Sequence, residues 1–338
     1  MKAVAITAPG EARVVHVDEP SAAAGEVLVR IRRVGLCGSD LTTFLGKNPM
    51  VSYPRVLGHE IAATIEQLGA DVPDAWQVGM NVTFTPYTAC GACPSCRAGR
   101  RNACSDNKTL GVQRDGALSE LAVVPHQKLY ASPLLTVDEL ALVEPFSVGF
   151  HAASRGRVQE ADTVLVMGCG GVGLGAVAGA ASRGARVIAL DTQDGKLSLA
   201  RTVGARQVIN ATTSDARRAV MDLTGGNGPD VVIEAVGAAA TYRQAVDWVA
   251  FCGRVVYIGY GKEPVSYETR MFVMKELDIL GARNCLTEFP DVIAFFERRT
   301  FDPRLLISRT IGMEEVPDAL AAWAANPGGT SKVMVTVA

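Results

Sequence analysis

Residues 163–173 read Thr163-Val164-Leu165-Val166-Met167-Gly168-Cys169-Gly170-Gly171-Val172-Gly173, an apolar run followed directly by a glycine-rich loop. The apolar run predicts a buried strand, and the small residues from Gly171 to Arg183 predict the helix that follows. Gly168, Gly170 and Gly173 have G-x-G-x-x-G spacing, which permits a tight turn and leaves free N–H groups for an anion at the helix start. The stretch therefore predicts the phosphate-binding turn of a dinucleotide-binding domain.

Asp191 strengthens this interpretation because it ends the next predicted strand, 23 residues after Gly168. A carboxylate there binds the ribose hydroxyls and repels a 2′-phosphate, so the pattern favours NAD over NADP. The alternative is a glycine turn that serves packing alone. We assign these residues to the cofactor site: Gly168, Gly170, Gly171, Val172, Gly173, Asp191, Lys196, Ile258 and Ala282.

The chain changes character near residue 145. Downstream, apolar strands alternate with helices, which predicts a doubly wound parallel sheet. Upstream, short β-like runs between Gly, Pro and Asn turns predict an all-β barrel or sandwich, with strands at 27–31, 60–66, 81–84 and 118–124. The tail holds two predicted amphipathic helices, near 289–299 and 314–324, and a closing strand at 331–337. Pattern alone assigns that tail to neither domain.

Four of the eight cysteines lie within 15 residues: Cys90, Cys93, Cys96 and Cys104. Four thiolates on a short loop are the ligands that Zn²⁺ takes in closed structural sites, which have no open position for a substrate. An iron–sulfur cluster is the alternative. We therefore predict a structural zinc lobe over about residues 88–106.

Composition narrows the partners. A net charge of −2 over 338 residues gives no electrostatic reason to bind nucleic acid or an anionic membrane surface. No window reaches the ~18 uninterrupted apolar residues of a membrane span, and the N-terminal residues lack the pattern of a signal peptide. The expected partner is a small molecule, and the expected location is the cytoplasm.

Several short motifs now resemble one family, the zinc alcohol dehydrogenase branch of the medium-chain dehydrogenase/reductase superfamily. They are residues 35–40 (GLCGSD), 58–60 (GHE), 144–145 (EP) and 281–284 (GARN), together with the cysteine lobe and the glycine loop. The resemblance covers essentially the whole chain. It implies a GroES-like β-barrel catalytic domain formed by residues 1–145 and 285–338, and a Rossmann NAD-binding domain formed by residues 146–284.

The resemblance also implies a second, catalytic zinc. Cys37 and His59 match two of its ligands, and Glu144 stands at the third position, as in sorbitol and threonine dehydrogenases, where other branches have a cysteine. A catalytic zinc keeps three protein ligands and one open position. We interpret Glu60 as an exchangeable or neighbouring carboxylate, because adjacent side chains of an extended segment diverge. Asp40 is expected to orient His59.

The implied reaction is oxidation of an alcohol at the open zinc position, with Ser39 accepting the proton and the nicotinamide accepting hydride. Related enzymes often carry a histidine where this chain has Thr42, so the proton relay ends differently. We predict an NAD-dependent dehydrogenase of a polyol or sugar acid with two zinc ions per subunit. One alternative is a dehydrogenase of threonine or another secondary alcohol. The other is a non-catalytic protein that binds NAD.

The substrate contacts follow from a finer likeness to dehydrogenases of L-gulonate and L-galactonate around residues 53–60. Arg55 is a candidate partner of a substrate carboxylate, with a structural turn arginine as the alternative. Further candidates are Phe44, Arg283 and Asn284. The family also implies a homodimer or homotetramer, with the strand Val255–Ile258 and the residues after it as candidates for pairing across a two-fold axis.

Overall fold

The computed structural model describes residues 1–261, 263–326 and 332–338. The chain divides into two compact units, one formed by residues 1–144 and 296–338 and the other by residues 145–295. Both chain ends therefore belong to the first unit. None of the helices in the described ranges is long and apolar enough to cross a membrane.

The first unit is mainly β-structure. Its strands are β1 (Lys2–Ala8), β2 (Glu11–His16), β3 (Glu26–Leu36), β4 (Arg55–Val56), β5 (Glu60–Leu68), β6 (Asn81–Phe84), β7 (Leu121–Pro125), β8 (Leu129–Ala131), β15 (Arg309–Gly312) and β16 (Val333–Thr336). Its helices are α1 (Gly38–Phe44), α2 (Pro94–Arg97), α3 (Val137–Ala141) and α11 (Val316–Ala325), and α4 (Val143–Arg155) begins at its end.

Strand β3 organises this unit because it pairs antiparallel with β5, β7 and β16. Its side chains alternate as the sequence predicts, with Val27, Val29 and Ile31 fully buried in the core. The predicted strand at 118–124 begins only at Leu121. Before it, Leu118 bonds to Val4 and Leu57 through its backbone outside any regular strand.

The C-terminal tail joins this same sheet. Strand β16 lies between β15 and β3, with Val333 opposite Leu36 and Val335 opposite Val34. Its N-terminal boundary is later than the predicted Ser331, which lies outside the described residues. The pairing brings the last strand of the chain against the segment that leads into Cys37.

The second unit alternates strand and helix. Its strands are β9 (Thr163–Met167), β10 (Arg186–Asp191), β11 (Gln207–Asn210), β12 (Val231–Glu234), β13 (Arg254–Tyr257) and β14 (Asp278–Gly281). Its helices are α5 (Gly171–Ala181), α6 (Asp194–Thr202), α7 (Ala216–Leu223), α8 (Ala239–Trp248) and α9 (Arg270–Met274), and α10 (Phe289–Glu297) crosses into the first unit.

The strands of the second unit are all parallel, in the order β11-β10-β9-β12-β13-β14. This confirms the doubly wound sheet. The strand order reverses between β9 and β12, and ligands of such sheets bind beyond the carboxyl ends of the strands at that point. The strand predicted to pair across a two-fold axis, β13, already has β12 and β14 on either side. The described edge strands of this sheet are β11 and β14.

The boundary between the two units differs from the expected one near residue 285. Residues 285–295 belong to the second unit. The imidazole Nδ1 of His151 lies 2.8 Å from Glu288 Oε1, and the rings of Phe150 and Phe295 meet edge to face at 5.7 Å. These contacts attach α10 and the residue before it to α4, which no periodicity in the sequence indicates.

Gly173 packs directly against the turn that precedes its helix. A Cβ at this position would lie 1.9 Å from the carbonyl oxygen of Gly168, whereas a Cβ at Gly170 meets no atom within 4 Å. Gly170 also has an ordinary φ of −71°. The two glycines therefore differ: the loop requires Gly173 for its own packing, and Gly170 is open towards the crevice.

Replacing Gly173 with alanine should lower the free energy of unfolding by about 1–3 kcal/mol, because the methyl group forces the turn away from the helix. Gly170→Ala is the matched control and should change stability by less than about 0.5 kcal/mol. Urea unfolding followed by far-UV circular dichroism measures both. Equal stability of the two variants would contradict this account of the loop.

Candidate metal and dinucleotide sites

The four clustered cysteines converge in the structure. Each offers one sulfur, and the four sulfurs lie within 4.8 Å of one another. The Cys93 and Cys104 sulfurs are 3.8 Å apart, which is the separation that a tetrahedron of Zn–S bonds of about 2.3 Å requires. The residues of the predicted lobe thus fit one structural zinc ion.

The local backbone prepares two of these sulfurs, those of Cys90 and Cys93, to be thiolates. Amide N–H groups point at them: Cys90 N–H donates to Cys104 Sγ at 3.2 Å, and Cys93 N–H donates to Cys90 Sγ at 3.3 Å. Hydrogen bonding, first with Ser95 and then with backbone amides, lowers the pKa of Cys93 to about 4. Burial raises the pKa of Cys96 to about 11, so a metal, which binds the deprotonated sulfur, would have to displace the proton of that thiol.

A second group of metal-ligating atoms lies in the first unit, where Cys37, His59 and Glu60 place one ligand atom each within 4.8 Å of the others. Neighbouring strands produce this arrangement. Glu60 begins β5 and pairs with Gly35 of β3, and Cys37 follows directly after β3 and precedes α1. The site is therefore a product of sheet register.

Charge around His59 supports a cation here. Burial disfavours the imidazolium, yet Asp40, Cys37 and Glu144 surround the ring and raise the pKa of His59 well above its usual value. Such an excess of buried acceptors is what a divalent cation neutralises. The thiol, imidazole and carboxylate donors are also the ligand types of a catalytic zinc site.

Asp40 faces the other ring nitrogen of His59. Its Oδ1 lies 3.9 Å from Nδ1, and both atoms are buried without a hydrogen-bond partner. Its Oδ2 accepts a hydrogen bond of 2.9 Å from the Cys37 amide at the start of α1. The carboxylate therefore binds the Cys37 amide and faces His59 without a hydrogen bond to it, and its expected orienting role stays a prediction.

Glu144, the predicted third ligand, is buried in the first turn of α4. Its Oε1 accepts a hydrogen bond from the Tyr87 hydroxyl. Burial raises the pKa of Glu144 to about 7, and His59 opposes this shift. Glu144 lies near the group but outside the set of atoms within 4.8 Å, where Glu60 stands instead.

Lys332 is the residue that sequence reasoning missed. Its ammonium donates to Glu60 Oε1 at 2.6 Å and to the Leu36 carbonyl at 3.2 Å, and its side chain is only 8% exposed. A lysine before an apolar strand reads as a solvent-exposed residue. Its position opposite β3 is a result of the pairing of β16, which no local signal gives.

Gly35 makes room for this ion pair. A Cβ at Gly35 would lie 2.1 Å from Glu60 Oε2, so a side chain there would displace the carboxylate. Lys332 thus binds the Glu60 carboxylate, and Gly35 leaves the space that the carboxylate occupies. Lys332 would compete with a metal for the Glu60 carboxylate oxygens, which bears on the exchangeable role predicted for Glu60.

Ser39 and Thr42 lie in α1 beside this group. The Ser39 hydroxyl is 3.4 Å from His59 Nε2, and the Thr42 hydroxyl donates 2.9 Å to the Ser39 carbonyl. Ser39 is therefore at the ring as expected. Thr42 bonds to its own helix, a common habit of threonine within helices.

The candidate substrate residues are found in different surroundings. Arg55 forms an ion pair of 3.0 Å with Asp115 and donates to Ser52 at 3.1 Å, which favours the structural alternative for this residue. Phe44 is 7% exposed and belongs to the core of the first unit. In the second unit, Asn284 has a φ of +55° and follows Arg283 just after β14. Their predicted substrate contacts stay predictions.

The dinucleotide loop has the geometry that its sequence predicts. Gly168 has a φ of +90°, and α5 begins at Gly171 with Gly170 as the preceding cap. The Cys169 amide donates 2.7 Å to Asp191 Oδ2, which holds the carboxylate of β10 beside the loop of β9. The other carboxylate oxygen accepts from the Thr192 amide at 2.7 Å.

The remaining cofactor candidates lie on the carboxyl side of the same sheet. Lys196 is in α6, Ile258 follows β13 and Ala282 follows β14. Sequence reasoning missed Val236, which follows β12, is 50% exposed and approaches Gly168, where a Cβ would meet it at 2.7 Å. An exposed valine at the switch point is a hydrophobic surface for a planar ring.

A dinucleotide crevice in one unit and a cysteine–histidine–carboxylate group in the other define the class of protein, a metal-dependent oxidoreductase. The family model "Alcohol dehydrogenase GroES-like domain" matches residues 23–134, and the model "Zinc-binding dehydrogenase" matches residues 171–298. The chain belongs to the zinc-type alcohol dehydrogenases of the medium-chain dehydrogenase/reductase superfamily. This confirms the GroES-like and Rossmann fold and places the chain among the zinc-binding dehydrogenases.

Individual relatives carry more specific names. Sorbitol dehydrogenase of Bacillus subtilis is 32% identical over 99% of this chain and 97% of its own length. L-galactonate-5-dehydrogenase of Escherichia coli is 34% identical over 78% of this chain and 77% of its own length. An alcohol dehydrogenase of Escherichia coli CFT073, solved with NADH, superposes with a TM-score of 0.90 at 31% identity over 99% of both chains.

Breaking the pair between Lys332 and Glu60 should be costly. In Lys332→Met, Glu60 remains as a buried carboxylate without its cation, and we expect the free energy of unfolding to fall by about 3–5 kcal/mol. The double variant Glu60→Gln/Lys332→Met should recover most of that loss, because neither position then carries a charge. Urea unfolding at neutral pH with constant zinc measures the double-mutant cycle.

Arg30→Met is the control for this cycle, since it breaks a half-exposed pair with Glu66 and should cost no more than about 1 kcal/mol. Additive effects of the Glu60 and Lys332 substitutions would contradict a direct interaction between the two side chains.

Proposed function

We propose that this protein oxidises a secondary alcohol of a polyol or sugar acid, giving a ketone, NADH and a proton. The convergence of Cys37, His59 and buried carboxylates carries the proposal. When bound, zinc would lower the pKa of the substrate hydroxyl and stabilise the negative charge that develops on its oxygen. Cys37, His59 and Glu144 are the residues that would hold the zinc ion. Glu60 would be an exchangeable or neighbouring carboxylate.

The residues around this group have assigned tasks in the proposal. Ser39, 3.4 Å from His59 Nε2, accepts the hydroxyl proton. Asp40 and Tyr87 orient His59 and Glu144 through the contacts described above. A carboxylate in place of a second cysteine ligand, together with the names of the relatives, supports polyol-type substrates.

NAD is the proposed cofactor form. Asp191, fixed by the Cys169, Thr192 and Gln193 amides, presents its carboxylate at the end of β10, where a 2′-phosphate would meet like charge. Zinc binding by the four clustered cysteines requires reduced thiolates, which supports a reducing compartment, the cytoplasm, as the proposed place of action.

Two cysteine variants separate the roles of the two zinc sites. The wild type should bind two zinc ions per chain, and Cys37→Ser and Cys104→Ser should each bind one, as measured by plasma mass spectrometry. Only Cys37→Ser should abolish NAD reduction, by at least about 1,000-fold, because several kcal/mol of transition-state stabilisation depend on its metal. Cys104→Ser should instead lower the melting temperature first.

The substrate panel contains alditols, aldonates, threonine and simple secondary alcohols, followed at the NADH absorbance. Full turnover by Cys37→Ser would contradict the zinc mechanism. A preference for threonine or a simple alcohol would favour the alternative of a dehydrogenase for threonine or another secondary alcohol. Binding of zinc and NADH without reduction of NAD by any alcohol would favour a non-catalytic protein.

We also propose that the protein is a homodimer or homotetramer that pairs through β14. This edge strand carries Ile279, which is 40% exposed, and the neighbouring α9 exposes Val273 by 86% and Met274 by 56%. An unpaired apolar edge of this kind is a template for association.

Light scattering coupled to size exclusion should therefore give two or four times the mass of one chain. Ile279→Lys should shift the protein to the monomer, since a charge on the edge opposes pairing. Val78→Lys, at a position 63% exposed in the first unit, is the control and should leave the assembly intact. A monomeric wild type would contradict the proposed pairing.

A further inference from the structure

Two cations of the first unit, Arg114 and Lys128, are half-buried without an acidic partner, and they are close enough for the charge of Arg114 to act on Lys128. Among the described residues, no carboxylate forms an ion pair with either. The Nε of Arg114 is buried and makes no hydrogen bond, and the Lys128 ammonium donates only to the Tyr87 carbonyl, at 2.7 Å. Neighbouring Asp115, which is near enough in sequence to serve, pairs with Arg55 instead.

Such an arrangement is costly in the free protein. Burial, with the positive charge of Arg114 added to it, lowers the pKa of Lys128 to about 8, and burial also lowers the pKa of Arg114. Partly desolvated like charges are unfavourable unless an anion joins them. A bound carboxylate or phosphate would remove both costs and satisfy the unused Nε.

Both cations are held against one short segment, residues 85–88. The Thr85 amide donates to the Lys128 carbonyl at 3.2 Å. On the other side, the Leu110 amide donates to the Pro86 carbonyl at 3.0 Å, and Leu110 forms a bridge with Arg114. The positions of Arg114 and Lys128 are thus fixed by backbone contacts.

The same segment leads to the metal-ligating group. The Tyr87 carbonyl accepts a hydrogen bond from Lys128, and the Tyr87 hydroxyl donates a hydrogen bond to Glu144. The Lys128 ammonium therefore lies about one tyrosine side chain away from a predicted zinc ligand. A substrate whose hydroxyl reacts at that group would place an acid at Lys128 only if several carbons separate the two functions.

We propose that Arg114 and Lys128 bind the anionic group, a carboxylate or phosphate, of an open-chain polyol substrate. The inference rests on the proposed function and names its substrate class: an aldonate or alditol phosphate rather than a neutral alditol or a short 2-hydroxy acid. It assigns acid recognition to Arg114 and not to Arg55, whose charge Asp115 already neutralises.

The test compares kcat and KM for gluconate and galactonate, galactitol 1-phosphate, sorbitol and galactitol, and lactate, with zinc content and melting temperature recorded for every variant. Arg114→Gln should raise KM for the preferred anionic C6 substrate roughly 10- to 100-fold, because a charge-assisted hydrogen bond is lost. KM for the neutral alditols and kcat should change less than about twofold. Arg114→Lys, which keeps the charge, should fall in between.

Lys108→Gln is the matched control, since Lys108 is an exposed cation of the same loop and should leave all constants unchanged. A loss for Arg114→Gln that is equal on neutral and anionic substrates would overturn the proposal, as would a wild type that prefers neutral alditols. A selective loss in Arg55→Gln in place of Arg114→Gln would overturn it as well. Preference between the aldonates and the phosphate identifies the anion.

The proposed function and this inference fail separately. A wild type that oxidises no alcohol of the panel would refute the proposed function. The anion site is then measured by calorimetric titration with gluconate and with inorganic phosphate. Binding by the wild type and Lys108→Gln that is lost in Arg114→Gln supports the site, and equal binding by all three overturns it.

Discussion

The buried ion pair between Glu60 and Lys332 is the interaction on which the first unit's chemistry depends. It joins residues 272 positions apart, and it forms because β16 pairs with β3 on one side while β5 pairs with β3 on the other. Removing two charges from water is expensive, and the pair offsets this only while both partners remain. The ion pair therefore joins the N-terminal part of the chain to its last strand, beside the metal-ligating atoms of Cys37, His59 and Glu60.

This ion pair also determines which carboxylate is available. Glu60 forms an ion pair with Lys332, whereas Glu144 accepts a hydrogen bond from the neutral hydroxyl of Tyr87. Two acids near one cysteine and one histidine would give more negative charge than a zinc ion balances. Lys332 supplies the missing positive charge, so the group can hold a metal with either carboxylate close by.

Positive charge is distributed unevenly over the rest of the first unit. Arg55 has an acidic partner, Arg30 has Glu66, and both contribute to structure. Arg114 and Lys128 have none among the described residues, although both are partly desolvated. The unfavourable desolvation of two unpaired cations is offset when an anion binds to them. These two residues therefore indicate a ligand, and the paired arginines do not.

Sequence alone determined the features that depend on neighbouring residues. The strand and glycine loop at 163–173, the cysteine spacing and the alternation of strands and helices predicted the parallel sheet and the zinc lobe because their physics is local. Identifying Cys37, His59 and Glu144 as metal ligands required the family resemblance as well, because residues in separate segments of the chain follow no spacing rule. Only the tertiary structure placed Lys332 on Glu60, Asp115 on Arg55 and residues 285–295 in the second unit. Those contacts follow from strand register and packing between distant segments, and a one-residue change of register would abolish them.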